Sequence, residues 1–466
     1  MPQFKFVAVE GGDRKPSTLT RSIRSHAIRA GLQKNTSSSR RAKAAVQSLC
    51  STKFRGELMF HLEPREGLER LNDMSTPSVP NMFAEVLRLP LIGIETTANL
   101  PVLTKFDLNL ATVDRAKSWF PYAMRSAPMM HSTLAMTAAL WRTEYPALQH
   151  SIQLEGIRQK GEAMREISAR LAHAGSVRSD DETDLLLSTM STLVTVEVCD
   201  GDFEAAATHL RGVHNLLSSR GSLDRLKDKF IVCKSINLAD IQVAAALGHR
   251  LVFPLLHADN VHIPASISEH ARQSPFDHLI TDDGPYHHGR IFAQLRRLLL
   301  ARQSSMVPLE ALRALFNVVD DSILRHLYQD CIGLSDASRR SRTLVLAAHV
   351  FMYVTLRQVP PKSPLVRRMC TRLQNTVGSS PTAREIWTDN GTALLWIAFV
   401  GLLGTGEGAE TCLEGQWFLK LFQSTVQGYP QDFARGNGGV RGILSTFLWD
   451  ELYCAPLLAG LKECIP

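Results

Sequence analysis

The densest gathering of groups able to hold a metal or move a proton runs from Asp277 to Arg290 and contains His278, Asp282, Asp283, His287 and His288. Imidazoles and carboxylates are the ligands a zinc ion recruits. Here they lie on a stretch punctuated by Gly284, Pro285 and Gly289, so nothing fixes their geometry. A solvated connector is the expectation, and no metal is assigned. His209 and His214 are five residues apart, which separates them by about 140° around a helix, a poor arrangement for co-ligands. One is expected to be partly buried and the other exposed. The eight cysteines, at 50, 199, 233, 331, 370, 412, 454 and 464, include no C-x-x-C pair. That scatter suits reduced, buried thiols and offers no zinc cluster. Gly401, Gly404, Gly406 and Gly408 follow an apolar run, with no strand before them and no lysine after them to hold phosphate. They read as a helix-ending loop. There is no G-x-x-x-x-G-K-[ST], G-x-S-x-G or H-E-x-x-H, so no catalytic residue, cofactor or metal is assigned.

Charge is the stronger signal. Residues 1–45 hold ten Lys or Arg against two acids, Glu10 and Asp13, a charge of +8; the whole chain carries +7, so the rest carries −1. The excess sits in one N-terminal arm, as expected of a segment that meets a polyanion or an import receptor. Pro16 and Ser17 can start a helix and Gly31 can stop it. On that helix Arg21, Arg24 and Arg29 share one side, opposite Leu19, Ile23, Ala27 and Ala30. Lys34, Arg40, Arg41 and Lys43 follow in a Ser-rich stretch expected to be flexible. These seven cations are the candidate contacts to nucleic acid or to a nuclear import receptor. A solvated helix face followed by a linker is the competing reading.

The elements behind the arm are helical. Met130, Leu134, Ala138 and Trp141 repeat at helical spacing, as do Ile157, Met164, Ile167 and Leu171. Asp180, Asp181, Glu182 and Asp184 precede an apolar run to Val198, where acids suit a helix N-terminus. Asp202 can cap a helix carrying Phe203, Ala207, Leu210 and Leu217 that ends near Gly221. Further helices are expected near 229–249, 290–303, 308–330, 343–357, 391–403 and 412–426. Only Phe4 to Ala8 alternates as a strand would. A composition of 44% hydrophobic and 21% charged residues fits a folded protein. The expected fold is all-α: a basic arm over 1–45, a linker over 46–80 and one large helical domain over 81–466. No secretory signal and no run long enough to span a bilayer stands out, so no membrane partner is assigned.

Four segments, taken together, resemble the fungal-specific transcription factor family. The arm contains Ile23-Arg24-Ser25-His26-Ala27-Ile28-Arg29, similar to an I-R-S-H-x-M-R signature. Gly201-Asp202 leads to His209-Leu210-Arg211-Gly212-Val213 and Arg220-Gly221. Leu394-Leu395-Trp396-Ile397 with Val400-Gly401 precedes Gln416-Trp417-Phe418. Ile443-Leu444 with Phe447-Leu448-Trp449 lies near the end. The resemblance implies a multi-helix regulatory domain and a nuclear protein that regulates transcription. The family's six-cysteine zinc cluster has no counterpart in these residues. Sequence-independent, weak DNA binding through the arm is then expected, together with protein partners. Trp396, Trp417, Phe418, Phe447 and Trp449 read as core packing. Three alternatives stay open: a helical scaffold without DNA binding and resident in the cytoplasm, an enzyme whose site is dispersed in sequence, and a mitochondrial presequence over the Arg- and Ser-rich residues 14–53.

Overall fold

Met129, Met130, Leu134, Ala138 and Trp141 fall on one helix because nothing between Ala127 and Glu144 interrupts it, and all five are buried. The computed structural model describes residues 119–144, 149–172, 179–219, 223–226, 228–256, 263–272, 288–304, 307, 309–328, 336–378, 387, 390–406, 412–428 and 439–461. Among the described residues every regular element is a helix: α1 (Trp119–Ala123), α2 (Ala127–Glu144), α3 (Gln149–Ala172), α4 (Asp180–Asp200), α5 (Phe203–Ser218), α6 (Phe230–Leu247), α7 (Ala265–Arg272), α8 (His288–Gln303), α9 (Leu309–Leu327), α10 (Asp336–Phe351), α11 (Pro364–Gly378), α12 (Gly391–Thr405), α13 (Leu413–Gly428), α14 (Gly439–Phe447) and α15 (Glu451–Gly460). A 3₁₀ turn covers Leu223–Leu226, and Met352–Leu356 continues α10 as a π-helix. The all-α expectation holds. The chain falls into two compact units whose boundary lies inside α4, between Thr189 and Met190.

In the first unit α2 packs along α3. Gly156 makes the approach close: a Cβ there would lie 3.1 Å from the Cβ of Ala138. The buried row of α3 is Ile152, Gln159, Ala163 and Ile167. This differs from the expected stripe, since Ile157 is 52% exposed. Gln159 explains the offset. Its side-chain oxygen meets Nδ1 of buried His131 on α2, while its amide donates 2.8 Å to Glu155. A satisfied glutamine thus holds a core position while an isoleucine stands outside. The acids of α4 act as anticipated. Ser179 and Glu182 form a capping box, with Glu182 N donating 3.2 Å to Ser179 Oγ and Ser179 N donating 3.3 Å to Glu182 Oε2.

The second unit gathers around α12, the segment that reads as apolar all round. Every residue from Leu395 to Thr405 is buried. Its neighbours include α10, α11, α13, α14 and α15. Trp396 is the hub: its ring stacks on Phe447 at 5.3 Å, meets Phe292 at 5.5 Å, and donates Nε1 to the carbonyl of Leu448 at 3.3 Å. Phe399 stacks on Trp449 at 6.0 Å. The two C-terminal segments of the resemblance are therefore packed on each other. Trp396, Phe418 and Phe447 are core residues as expected, whereas Trp417 and Trp449 are half-buried.

Gly401 and Gly404 correct the expectation of a helix-ending loop, because α12 runs through both to Thr405. A Cβ on Gly401 would overlap the Phe418 ring of α13, and one on Gly404 would overlap Cys370 Sγ of α11. Gly406 does end the helix, with φ +69°. The helices α7, α11, α14 and α15 were not anticipated. α11 begins directly after the Pro-rich Val359-Pro360-Pro361-Lys362-Ser363, where Pro364 takes the first turn and needs no N–H partner. The helix α6 is 18 residues of mean hydropathy 1.5, long and apolar enough to cross a bilayer by length and composition, and 78% of it is buried within the protein as a core helix.

Two glycines give opposite outcomes on substitution. Gly401→Ala should destabilise the protein by about 1–3 kcal/mol, because a tight helix contact must open. Gly161→Ala, at an exposed site in α3 where a Cβ meets nothing, should stabilise by about 0.5–1 kcal/mol through helix propensity. Urea unfolding of both variants checks the pair; equal effects would contradict the packing described.

Candidate functional site

The clearest concavity in the second unit is built by the hairpin of α5 and α6 and by the turn that follows α6. α5 starts at Asp202, whose side chain accepts from Ala205 N at 3.2 Å. Its buried side carries Ala206, His209, Leu210, Val213, Leu216 and Leu217. Gly248 ends α6 in the left-handed region at φ +80°, its N–H bonded to Ala244 O at 2.8 Å. The chain then turns back and is tied to α6 by two polar side chains. Asp240 accepts from Val252 N at 3.0 Å and Phe253 N at 2.8 Å. Asn237 donates 2.6 Å to Leu256 O and accepts 3.1 Å from Leu256 N. Both side chains act as a substitute backbone partner for an irregular segment, satisfying N–H and C=O groups that the core would otherwise strand.

The result is a groove of about 570 Å³. Its wall is apolar, from Ala207 and Leu210 on α5, Val243 and Leu247 on α6, and Val252 on the turn. Its polar lining is Glu204, Thr208, Arg211, His214 and His249. The volume lies within the ~300–1,000 Å³ common for small-molecule sites. Arg211 donates from Nη2 to Thr208 Oγ1 at 3.0 Å. The His214 ring tilts against Phe253 at 5.7 Å. Burial pushes the Asp240 carboxyl up to about 6, although the two backbone N–H bonds pull the other way.

A second polar constellation lies deeper. Asp320 on α9 is fully buried, and its carboxylate accepts from His349 Nε2 at 2.9 Å and Arg357 Nε at 2.9 Å. Burial alone would raise its pKa, but Arg357 and His349 together hold it below the usual carboxylate value. Burial also lowers His349, against the pull of Asp320. A neutral His349 donating from Nε2 has its lone pair on Nδ1, which is buried without a partner, as is the Tyr353 hydroxyl. The π-helix at 352–356 puts Arg357 here, with Arg357 N bonded back to Met352 O at 2.9 Å. Its guanidinium lies over the rings of Phe316 at 5.2 Å and Tyr353 at 5.7 Å. Arg372 on α11 links onward to α6. It donates to Ala245 O at 2.6 Å and Ala246 O at 3.2 Å, and also bonds the Tyr328 hydroxyl. The cluster has a bound carboxylate, a neutral imidazole and a guanidinium, but the groove residues do not include any of them. Its work is cohesion of α9, α10 and the π-turn.

His209 is buried, 3.6 Å from Glu197, and His214 is exposed, so they are divided as their spacing implies. Arg21, Arg24, Arg29, Lys34, Arg40, Arg41 and Lys43 lie outside the described residues, and so do His278, Asp282, Asp283 and His287; His288 opens α8 with its side chain undescribed. Among the described residues no three His, Cys, Asp or Glu side chains are grouped to hold a metal. Sequence reasoning did not single out Asn237 and Asp240 as functional residues. Their signal was present: an amide and an acid one turn apart in Ile236-Asn237-Leu238-Ala239-Asp240-Ile241, an otherwise apolar helix. Asp320, His349 and Arg357 are 29 and 37 residues apart and share no local pattern.

Comparison with family models matches residues 102–260 to the fungal specific transcription factor domain. The resemblance drawn from four short segments is supported over that span, which includes every residue lining the groove. Comparison with curated proteins and with solved structures returns no match.

The raised Asp240 pKa has a measurable sign. The folded protein binds this proton more tightly than the unfolded chain, whose value is 3.8. Asp240 therefore contributes stability that is full below about pH 4 and is lost as pH rises through about 6, on the order of 3 kcal/mol. Amide spectra recorded against pH should show Val252 and Phe253 titrating with a midpoint near 6, and Asp240→Asn should abolish the transition. A midpoint near 4 would contradict the burial of this carboxyl.

Proposed function

We propose, with residues 102–260 as a fungal specific transcription factor domain for premise, that the protein is a nuclear regulator of transcription. The match over 102–260, on a chain whose described residues are helical throughout, is the observation that carries this reading. Division of labour follows from charge. The arm of residues 1–45 holds +8 and the remainder −1, so attraction to nucleic acid or to an import receptor belongs to the arm. The helical body senses a small molecule or a protein partner, and the groove between α5 and α6 is where it does so. No zinc-binding set is proposed, and base-specific recognition is therefore not assigned to the arm: phosphate contacts position a protein, whereas base-edge contacts specify sequence.

The residues proposed to act are Arg21, Arg24 and Arg29 on one face of a helix, with Lys34, Arg40, Arg41 and Lys43 after it. Each phosphate they neutralise releases counterions and steepens the dependence of log affinity on log salt by about 0.9 on duplex DNA. Replacing all seven by glutamine should abolish binding to mixed-sequence duplex DNA at moderate salt and move the tagged protein from nucleus to cytoplasm. Thermal unfolding of the helical body should stay unchanged. An unaltered salt slope together with retained nuclear entry would show the arm to be a solvated linker, and would favour a scaffold.

A further inference from the structure

The groove between α5, the end of α6 and the 249–252 turn pairs an apolar wall with a cation that the protein leaves unanswered. Arg211 lines it, is exposed, and among the described residues has the Thr208 hydroxyl as a partner but no carboxylate. His214 follows one helical turn later and lines the same groove. The one acid of the lining, Glu204, stands in the first turn of α5. There the positive end of the helix dipole answers it. Seven residues separate Glu204 from Arg211, about 10 Å along the axis. Between these poles lie Ala207, Leu210 and Val243, so the groove has a carbon floor and an unpaired guanidinium at one end.

We propose that this groove binds a small amphipathic carboxylic acid, its apolar body on Leu210, Val243 and Val252 and its carboxylate on Arg211. The proposal rests on, and deepens, the reading of the helical body as a ligand-sensing domain. A guanidinium presents parallel N–H donors whose spacing matches the two oxygens of a carboxylate. The apolar body contributes in proportion to the area it removes from water. A neutral ligand of the same shape gains only the second term, and a cationic one meets Arg211 as a like charge. A partner helix would need an apolar track several turns long, whereas the apolar lining on α5 is confined to Ala207 and Leu210, a single turn.

Full-length protein titrated with decanoate, decanol and decylamine tests this by calorimetry, with the amide resonances of Ala207 and Val252 reporting the site. Decanoate should bind about fivefold more tightly than decanol, the range of a partly exposed ion pair, and decylamine most weakly. Arg211→Gln should remove the preference for decanoate, while Glu204→Gln should keep or widen it. Both positions are exposed, so unchanged unfolding curves will separate lost binding from lost folding. Equal affinity for acid and alcohol, a preference that survives Arg211→Gln, or no response of Ala207 and Val252 to decanoate would overturn the proposal. Because binding is read on purified protein and regulation in cells, a failure of either leaves the other measurement standing.

Discussion

A helix that is apolar on every side has to be surrounded, and in the second unit that constraint falls on α12. Leu395 to Thr405 are buried without exception. Five other helices contribute to the enclosure. Side-chain volume then sets the spacing. Gly401 admits the ring of Phe418 and Gly404 admits Cys370, so α13 and α11 reach α12 closer than any larger residue would allow. Trp396 fills the opposite requirement, a large ring with Phe292, Phe351 and Phe447 around it and its single N–H bonded to Leu448 O. Close-packed interiors transmit such constraints because they lack compressible space.

From that hub the contacts run outward to the groove. α11 touches α12 on one side and α6 on the other. Arg372 of α11 closes the C-terminus of α6, whose last carbonyls would otherwise lack partners. Gly248 at that terminus sits 3.2 Å, by its absent Cβ, from the Arg372 guanidinium and the Tyr328 hydroxyl. Asn237 and Asp240 then lay the returning chain against α6. The groove is thus formed by an irregular segment held on rigid helices, an arrangement common to binding sites. The Asp320 cluster stabilises the same framework from α9. A buried carboxylate satisfied by two partners is tolerable, but the loss of one partner would strand a charge.

Much of this was legible as pattern. The amphipathic and apolar runs gave α2, α4, α5, α6, α8, α9, α12 and α13 because their periodicity is sustained over several turns. The acids at Asp180 to Glu182 and the cap at Asp202 mark helix starts by local chemistry, and local chemistry survives folding. Where a segment was misread, a tertiary term won. Ile157 yields the core to Gln159 because His131 and Glu155 satisfy the amide. Gly401 and Gly404 look like loop residues until the rings and thiol beside them are known. α11 is hidden behind prolines that also suit a helix start. The groove was the least visible feature, since it depends on Asp240 reaching residues 12 and 13 positions away. The sequence marks only that an acid interrupts an apolar helix.

The account's central claim is that the charge-rich arm and the helical body make one regulator of transcription. Chromatin immunoprecipitation of the tagged full-length chain, sequenced beside an untagged control, tests it most directly. The account predicts reproducible enrichment at a limited set of promoter-proximal loci, diminished when residues 1–45 are removed. Recovery indistinguishable from the untagged control, with the protein folded and expressed, would contradict it.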